Sequence, residues 1–138
     1  MGKVHIFCDG GAIGNPGPAA IAAVIKFDSK TKKYSQFIGR ATNNQAEYKA
    51  LIFALKKLKQ ILGKKKAKET EVEVFVDSEV LAKQLQGKYK IKEKTLQNLF
   101  LQVWNLKIDF KNVNINHIHR ERNKEADLLV KKALQEGR

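Results

Sequence analysis

Two stretches of this chain end alike, each on an aspartate at which a strand-like alternation stops. In Lys3 to Asp9, Val4, Ile6 and Cys8 alternate with His5, Phe7 and Asp9; in Glu71 to Asp77, Val72, Val74 and Val76 alternate with Glu73, Phe75 and Asp77. Period-two geometry puts Phe7 with Asp9, and Phe75 with Asp77, on one face of a strand. If the two strands are parallel neighbours, the aspartates emerge side by side at the carboxyl ends, where open α/β sheets bind ligands. Two more acids fall in awkward places. Glu47 lies four residues before Leu51 on the helical stripe Leu51, Ala54, Leu58 and Ile61, and Asp127 borders the stripe Ala126, Leu129, Val130, Ala133 and Leu134. A carboxylate on a buried stripe costs on the order of several kcal/mol unless it is protonated, paired or bound to metal.

Clustered oxygen ligands without His or Cys partners suit a hard cation such as magnesium or manganese. Two such ions roughly 4 Å apart would activate a water on one side of a phosphodiester and stabilise the leaving oxygen on the other. Simpler explanations stand beside this. Asp9 opens an Asp-Gly turn dipeptide, and Asn44 with Glu47 has the spacing of a capping box. Four unrelated surface acids is the blandest account, and it is hard to reconcile with Glu47 and Asp127.

The elements that would carry these residues follow from pattern. After the loop around Gly10 to Gly17, Ala19 to Asp28 reads as a buried strand of small residues, and Asp28 to Lys33 as a polar turn. Tyr34 to Gly39 returns as the next strand. Arg40 to Gln45 breaks the pattern, with Thr42, Asn43 or Asn44 able to cap a helix that runs to about Leu62. Lys64 to Thr70 reads as a basic surface loop, Ser78 to Gly87 as a short helix, and Glu93 to Lys107 as an amphipathic helix with Trp104 in its packing face. Asn112 to His119 reads as the last strand, with His117 packing, and Asn123 to Gln135 as the terminal helix. The order β-β-β-α-β-α-α-β-α implies an α/β fold: a five-stranded mixed sheet, an antiparallel meander joined to parallel strands, with helices on both faces.

With 138 residues the chain is expected to form one domain, residues 1–138. A net charge of +13 favours a polyanionic partner, nucleic acid first. In Lys88-Tyr89-Lys90-Ile91-Lys92 cations alternate with apolar residues, which fits either a solvent edge or a phosphate track with Tyr89 resting on a sugar or base. Cys8 is the sole cysteine, so neither a disulfide within the chain nor a thiolate zinc site is available. No signal-peptide pattern or membrane-spanning run is evident, so a cytoplasmic protein without a membrane partner is expected.

Asp9-Gly10-Gly11 with Gly14-Asn15-Pro16-Gly17, Thr42-Asn43-Asn44 with Glu47, Asp77-Ser78, and Ala126-Asp127 stand in the order and spacing of type 1 ribonuclease H, and the chain resembles that family over nearly its whole length. The resemblance implies the ribonuclease H-like fold and endonucleolytic hydrolysis of the RNA strand of RNA/DNA hybrids by two magnesium or manganese ions, leaving 5′-phosphate and 3′-hydroxyl ends. Asp9, Glu47, Asp77 and Asp127 would be the metal ligands, and Glu47 would also sense the 2′-hydroxyl beside the scissile phosphate. Asn15 and Asn43 would contact the minor groove and Thr42 a DNA phosphate; turn and cap chemistry is their bland alternative. The glycines from Gly10 to Gly14 would let the backbone approach the RNA closely.

Three departures bear on this. Glu79 stands where many members carry Gln. The basic protrusion is missing, which leaves substrate grip to Tyr89 and scattered lysines. The His-bearing loop is replaced by Arg120 to Ala126, as in a short-loop branch. Arg120 would then be a catalytic residue, with His119 its rival, and double-stranded RNA a further substrate. A monomer is expected. A hybrid-binding module without activity, or another nuclease of the same superfold, is the alternative.

Overall fold

The computed structural model describes residues 2–137. The chain opens with an antiparallel meander of β1 (Lys3–Ala12), β2 (Gly17–Phe27) and β3 (Lys30–Ala41). Alternation in β1 sorts as expected, with Val4, Ile6 and Cys8 buried in the larger of two main cores. In β2 the small residues are buried on both faces: Ile21, Ala23 and Ile25 enter that core, and Ala20, Ala22 and Val24 enter a second one on the opposite side. A strand covered on both sides needs an almost continuous apolar run, and Ala19 to Ile25 supplies it.

The β2–β3 turn is tighter than the six polar residues suggest. Asp28 and Ser29 alone make it, at φ of 47° and 60°. Two consecutive left-handed residues match the twist of a hairpin, and a short polar side chain tolerates that conformation. Lys30, Lys32 and Lys33 therefore belong to β3, an outer strand of the sheet, where exposed lysines discourage pairing with other chains.

Helix α1 (Asn43–Leu62) starts on Thr42. The Thr42 hydroxyl accepts the Gln45 N–H at 3.1 Å and Gln45 Oε1 accepts the Thr42 N–H at 3.0 Å, so the capping box is Thr42 with Gln45 and not Asn44 with Glu47. Glu47 is thereby placed one turn inside the helix. Gly63, at φ 82°, ends α1. The expected loop after it is instead a short helix, α2 (Lys64–Lys68): lysine and alanine are good helix formers, and Ala67 is fully buried.

Strand β4 (Glu71–Val76) runs parallel to β1, and α3 (Glu79–Leu85) follows, capped by the Ser78 hydroxyl. After α4 (Lys94–Lys107), β5 (Asn112–His117) pairs in parallel with β4, and a 3-10 turn at Arg120–Arg122 leads into α5 (Lys124–Gly137). The sheet order is β3-β2-β1-β4-β5. Side chains of α1, α3 and α4 share the larger core on one face, and α5 packs Ala126, Val130, Ala133 and Leu134 on the other. This is the expected five-stranded mixed sheet with helices on both faces.

Two expectations about packing are corrected. Trp104 is 56% exposed, together with Leu101 and Ile108. The inward stripe of α4 is Leu96, Leu99 and Val103, and a residue one step past Val103 is turned about 100° away. His117 is exposed too: it ends the edge strand β5, whose inward residues are Val113 and Ile115. No helix among the described residues is long and apolar enough to cross a membrane.

Candidate metal centre and nucleic-acid cleft

The pairing of β1 with β4 aligns Phe7 with Phe75. Two residues further on, Asp9 and Asp77 therefore stand side by side. Glu47 reaches them from the first turns of α1, and one carboxylate oxygen from each of Asp9, Glu47 and Asp77 lies within 4.8 Å of the others. Asp9 and Glu47 are buried, at 7% and 8% exposure. Such a set of oxygens fits a hard divalent cation.

Gly10 makes this convergence possible. A Cβ there would overlap the carbonyl of Ala46, so only glycine lets α1 sit directly on β1. The Gly10 N–H then donates to Glu47 Oε1 at 3.1 Å and orients that carboxylate. Helix packing by itself requires glycine at this position. Gly10→Ala is expected to destabilise the protein by about 2–4 kcal/mol, seen as a lower urea midpoint, because neither backbone can move without breaking the β1–α1 contact.

Burial and mutual repulsion set the electrostatics of the cluster. Burial, and then the charges of Asp77 and Asp127, push the Asp9 carboxyl up from its usual range to about 7, against the lowering effect of a hydrogen bond with Glu47. Burial and the charge of Asp9 raise Glu47 in the same direction. Both shifts favour the protonated form of the pair, and a divalent ion would displace that proton. Cys8, the free cysteine behind them, is fully buried, and burial followed by the neighbouring acids raises its thiol. It is a packing residue.

The acids lie in an open cleft of about 400 Å³ that is also lined by Asn43, Arg120, Asp127 and Lys131. Asp127 thus shares the cleft but stands outside the tight trio, its Oδ2 3.1 Å from the Lys131 ammonium one turn along α5. Lys131 gave no signal in the sequence beyond its spacing from Asp127. Asn43 is at the cleft, where its Oδ1 accepts the Ala12 N–H at 2.9 Å; Asn15 Oδ1 accepts the Asn43 N–H at 2.9 Å. These two asparagines thereby lace the glycine loop to the start of α1. Thr42 is engaged in the cap.

Arg120 lines the cleft and His119 does not. Tyr89 is exposed and outside it, with the Lys83 ammonium 5.2 Å from its ring centroid. Glu79 pairs with Lys83 at 3.4 Å.

Comparison with known proteins is consistent with this geometry. The family described as reverse transcriptase-like matches residues 7–133. LC11-RNase H1, isolated from compost by a metagenomic approach and solved in complex with an RNA/DNA hybrid, superposes with a TM-score of 0.91 at 44% identity, covering 98% of this chain and 99% of that one. RNase H1 from the halophilic archaeon Halobacterium salinarum superposes with a TM-score of 0.87 at 36% identity over 97% of this chain and 98% of its own. Among curated relatives, ribonuclease HI of Helicobacter pylori is 45% identical over 56 residues, 41% of this chain; the match spans only 39% of that relative's length. Identity at this level along almost the entire chain, on the same fold, means that the chain belongs to the type 1 ribonuclease H family.

Proposed function

We propose that the protein is a metal-dependent endoribonuclease that cuts the RNA strand of RNA/DNA hybrids, and of RNA/RNA duplexes, leaving 5′-phosphate and 3′-hydroxyl ends. The observation that carries this reading is the trio of oxygens from Asp9, Glu47 and Asp77 within 4.8 Å of one another, set in a cleft of a chain with net charge +13. Asp9, Glu47, Asp77 and Asp127 would hold two magnesium or manganese ions. Bound there, the ions would supply an activated water and offset charge on the leaving oxygen.

The chain's own residues do the rest. Gly10 holds one oxygen of Glu47, which leaves the other for an ion and for the 2′-hydroxyl that marks RNA. Asn15 and Asn43, already laced to the glycine loop, present their amide groups to the minor groove, and Thr42 its hydroxyl to a phosphate. Lysines spread over the surface supply the non-specific grip, and Tyr89 with Lys83 adds a stacking contact beyond the cleft in a chain of the short-loop branch. Arg120 stabilises negative charge at the scissile phosphate. Arg120→Ala is expected to lower kcat at least about tenfold with KM little changed, whereas His119→Ala leaves both within about twofold, as steady-state kinetics would show.

The direct test is cleavage of end-labelled RNA/DNA, RNA/RNA and DNA/DNA duplexes with magnesium, manganese or EDTA. Metal-dependent cutting confined to RNA strands supports the proposal. Hybrid binding without cutting in either metal would leave a binding module, and cutting of DNA/DNA would favour another nuclease of the superfold.

A further inference from the structure

Asn123, at the entry to α5, is 1% exposed, and its side-chain amide is used on one side only. Its Nδ2 donates to the Cys8 carbonyl at 2.9 Å and to Asp77 Oδ2 at 3.1 Å. Both partners only accept, which assigns the orientation of the amide. Its Oδ1 is buried and has no partner among the described residues. The backbone carbonyl of Asn123 accepts the Asp127 N–H at 3.1 Å.

This is not helix capping. A cap asparagine uses its side-chain oxygen to accept a first-turn N–H, whereas here no first-turn N–H donates to that oxygen and the amide donates away from α5. Among the described residues, the two donated bonds are the contacts its side chain makes. They join three parts of the cleft: β1 one residue before Asp9, the Asp77 carboxylate, and, through the backbone, the turn that carries Asp127.

We infer that Asn123 is a positioning residue that orients the Asp77 carboxylate and fixes the Asp127 turn against it, so that the cation site is formed before a cation arrives. The inference rests on the proposal that these carboxylates bind divalent ions. Partners of ligating carboxylates typically change metal affinity about 10- to 100-fold when removed.

The test is a Mn2+ titration of metal-stripped protein without nucleic acid, followed by the EPR signal of free ion, for the native chain, Asn123→Leu and Asn123→Ser. Leucine keeps the volume and removes the donors; serine is too short to reach Asp77. Circular dichroism establishes that each variant is folded at the temperature used. The expected result is Mn2+ affinity weaker by about tenfold or more in a folded variant, with cleavage of hybrid partly restored at high Mn2+. A folded variant with native affinity would make Asn123 a structural pin between β1 and α5 and overturn the inference, as would failure of both variants to fold. If the native chain itself binds no Mn2+, the metal reading fails first and this inference falls with it, an outcome distinct from native binding that the variants retain.

Discussion

Asp77→Asn is expected to reduce RNA cleavage by about a thousandfold or more while leaving the protein folded and, without divalent ions, more stable. Losing this oxygen would weaken the hold on an ion that would supply the activated water and offset charge on the leaving oxygen; several kcal/mol of transition-state stabilisation would go with it, and about 4 kcal/mol corresponds to a thousandfold. The fold is spared because asparagine keeps the side-chain oxygen that accepts from Asn123 Nδ2. Stability rises because one of the three acids crowded within 4.8 Å no longer carries a charge; a gain of about 1 kcal/mol would raise Tm by roughly 3 °C in a chain of this size. Single-turnover cleavage and thermal melts in EDTA check the two halves. Cleavage within about tenfold of native would mean that Asp77 is not a ligand in the reaction.

The metal-free protein should become less stable as pH rises from about 4 to about 7, opposite to the usual acid-side behaviour of carboxylates. In the unfolded chain Asp9 loses its proton near its ordinary value of about 3.9, but in the fold only near 7. Between those values the folded state binds more protons than the unfolded one, so folding is favoured at the acid end, and the advantage is gone above the folded value. Glu47, raised for the same reason, adds to the slope in the same direction. The combined effect is on the order of a few kcal/mol, or roughly 10 °C in Tm. A divalent ion reverses it, because the ion binds the ionised acids and displaces their proton. Melts at about pH 5 and about pH 8, each with Mg2+ and with EDTA, should show stabilisation by Mg2+ that is much larger at the higher pH. Equal stabilisation at both would mean that Asp9 and Glu47 are already ionised in the metal-free fold.

Much of the molecule could be read from local pattern. Alternation in Val4 to Cys8 and Val72 to Val76 marks two strands whose apolar faces enter one core, and helical spacing from Leu51 to Ile61 marks α1. Those periods put Asp9 and Asp77 at matching strand ends, and the observed parallel pairing of Phe7 with Phe75 then sets the two aspartates side by side. Glu47 was conspicuous for a related reason: an acid on an apolar stripe needs an explanation from outside its helix.

What failed locally did so where the deciding neighbour is distant in the chain or geometry overrides polarity. Trp104 looked like core because it is large and apolar, yet the angle of α4 gave the inner position to Val103 and left the indole exposed. Lys64 to Thr70 looked like a loop because it is charged, yet burial of Ala67 and good helix formers made it a helix.

By itself, then, the sequence determined the alternating strands, the amphipathic helices and which four acids were misplaced for a simple surface, since each of these is a property of side-chain period along one element. Only the tertiary structure decided that Gly10 is the seat of α1, that Asp127 shares the cleft while paired to Lys131, and that Asn123 joins Cys8 and Asp77. Those are contacts between elements, set by how helices settle on the sheet, and a period within one element carries no record of them.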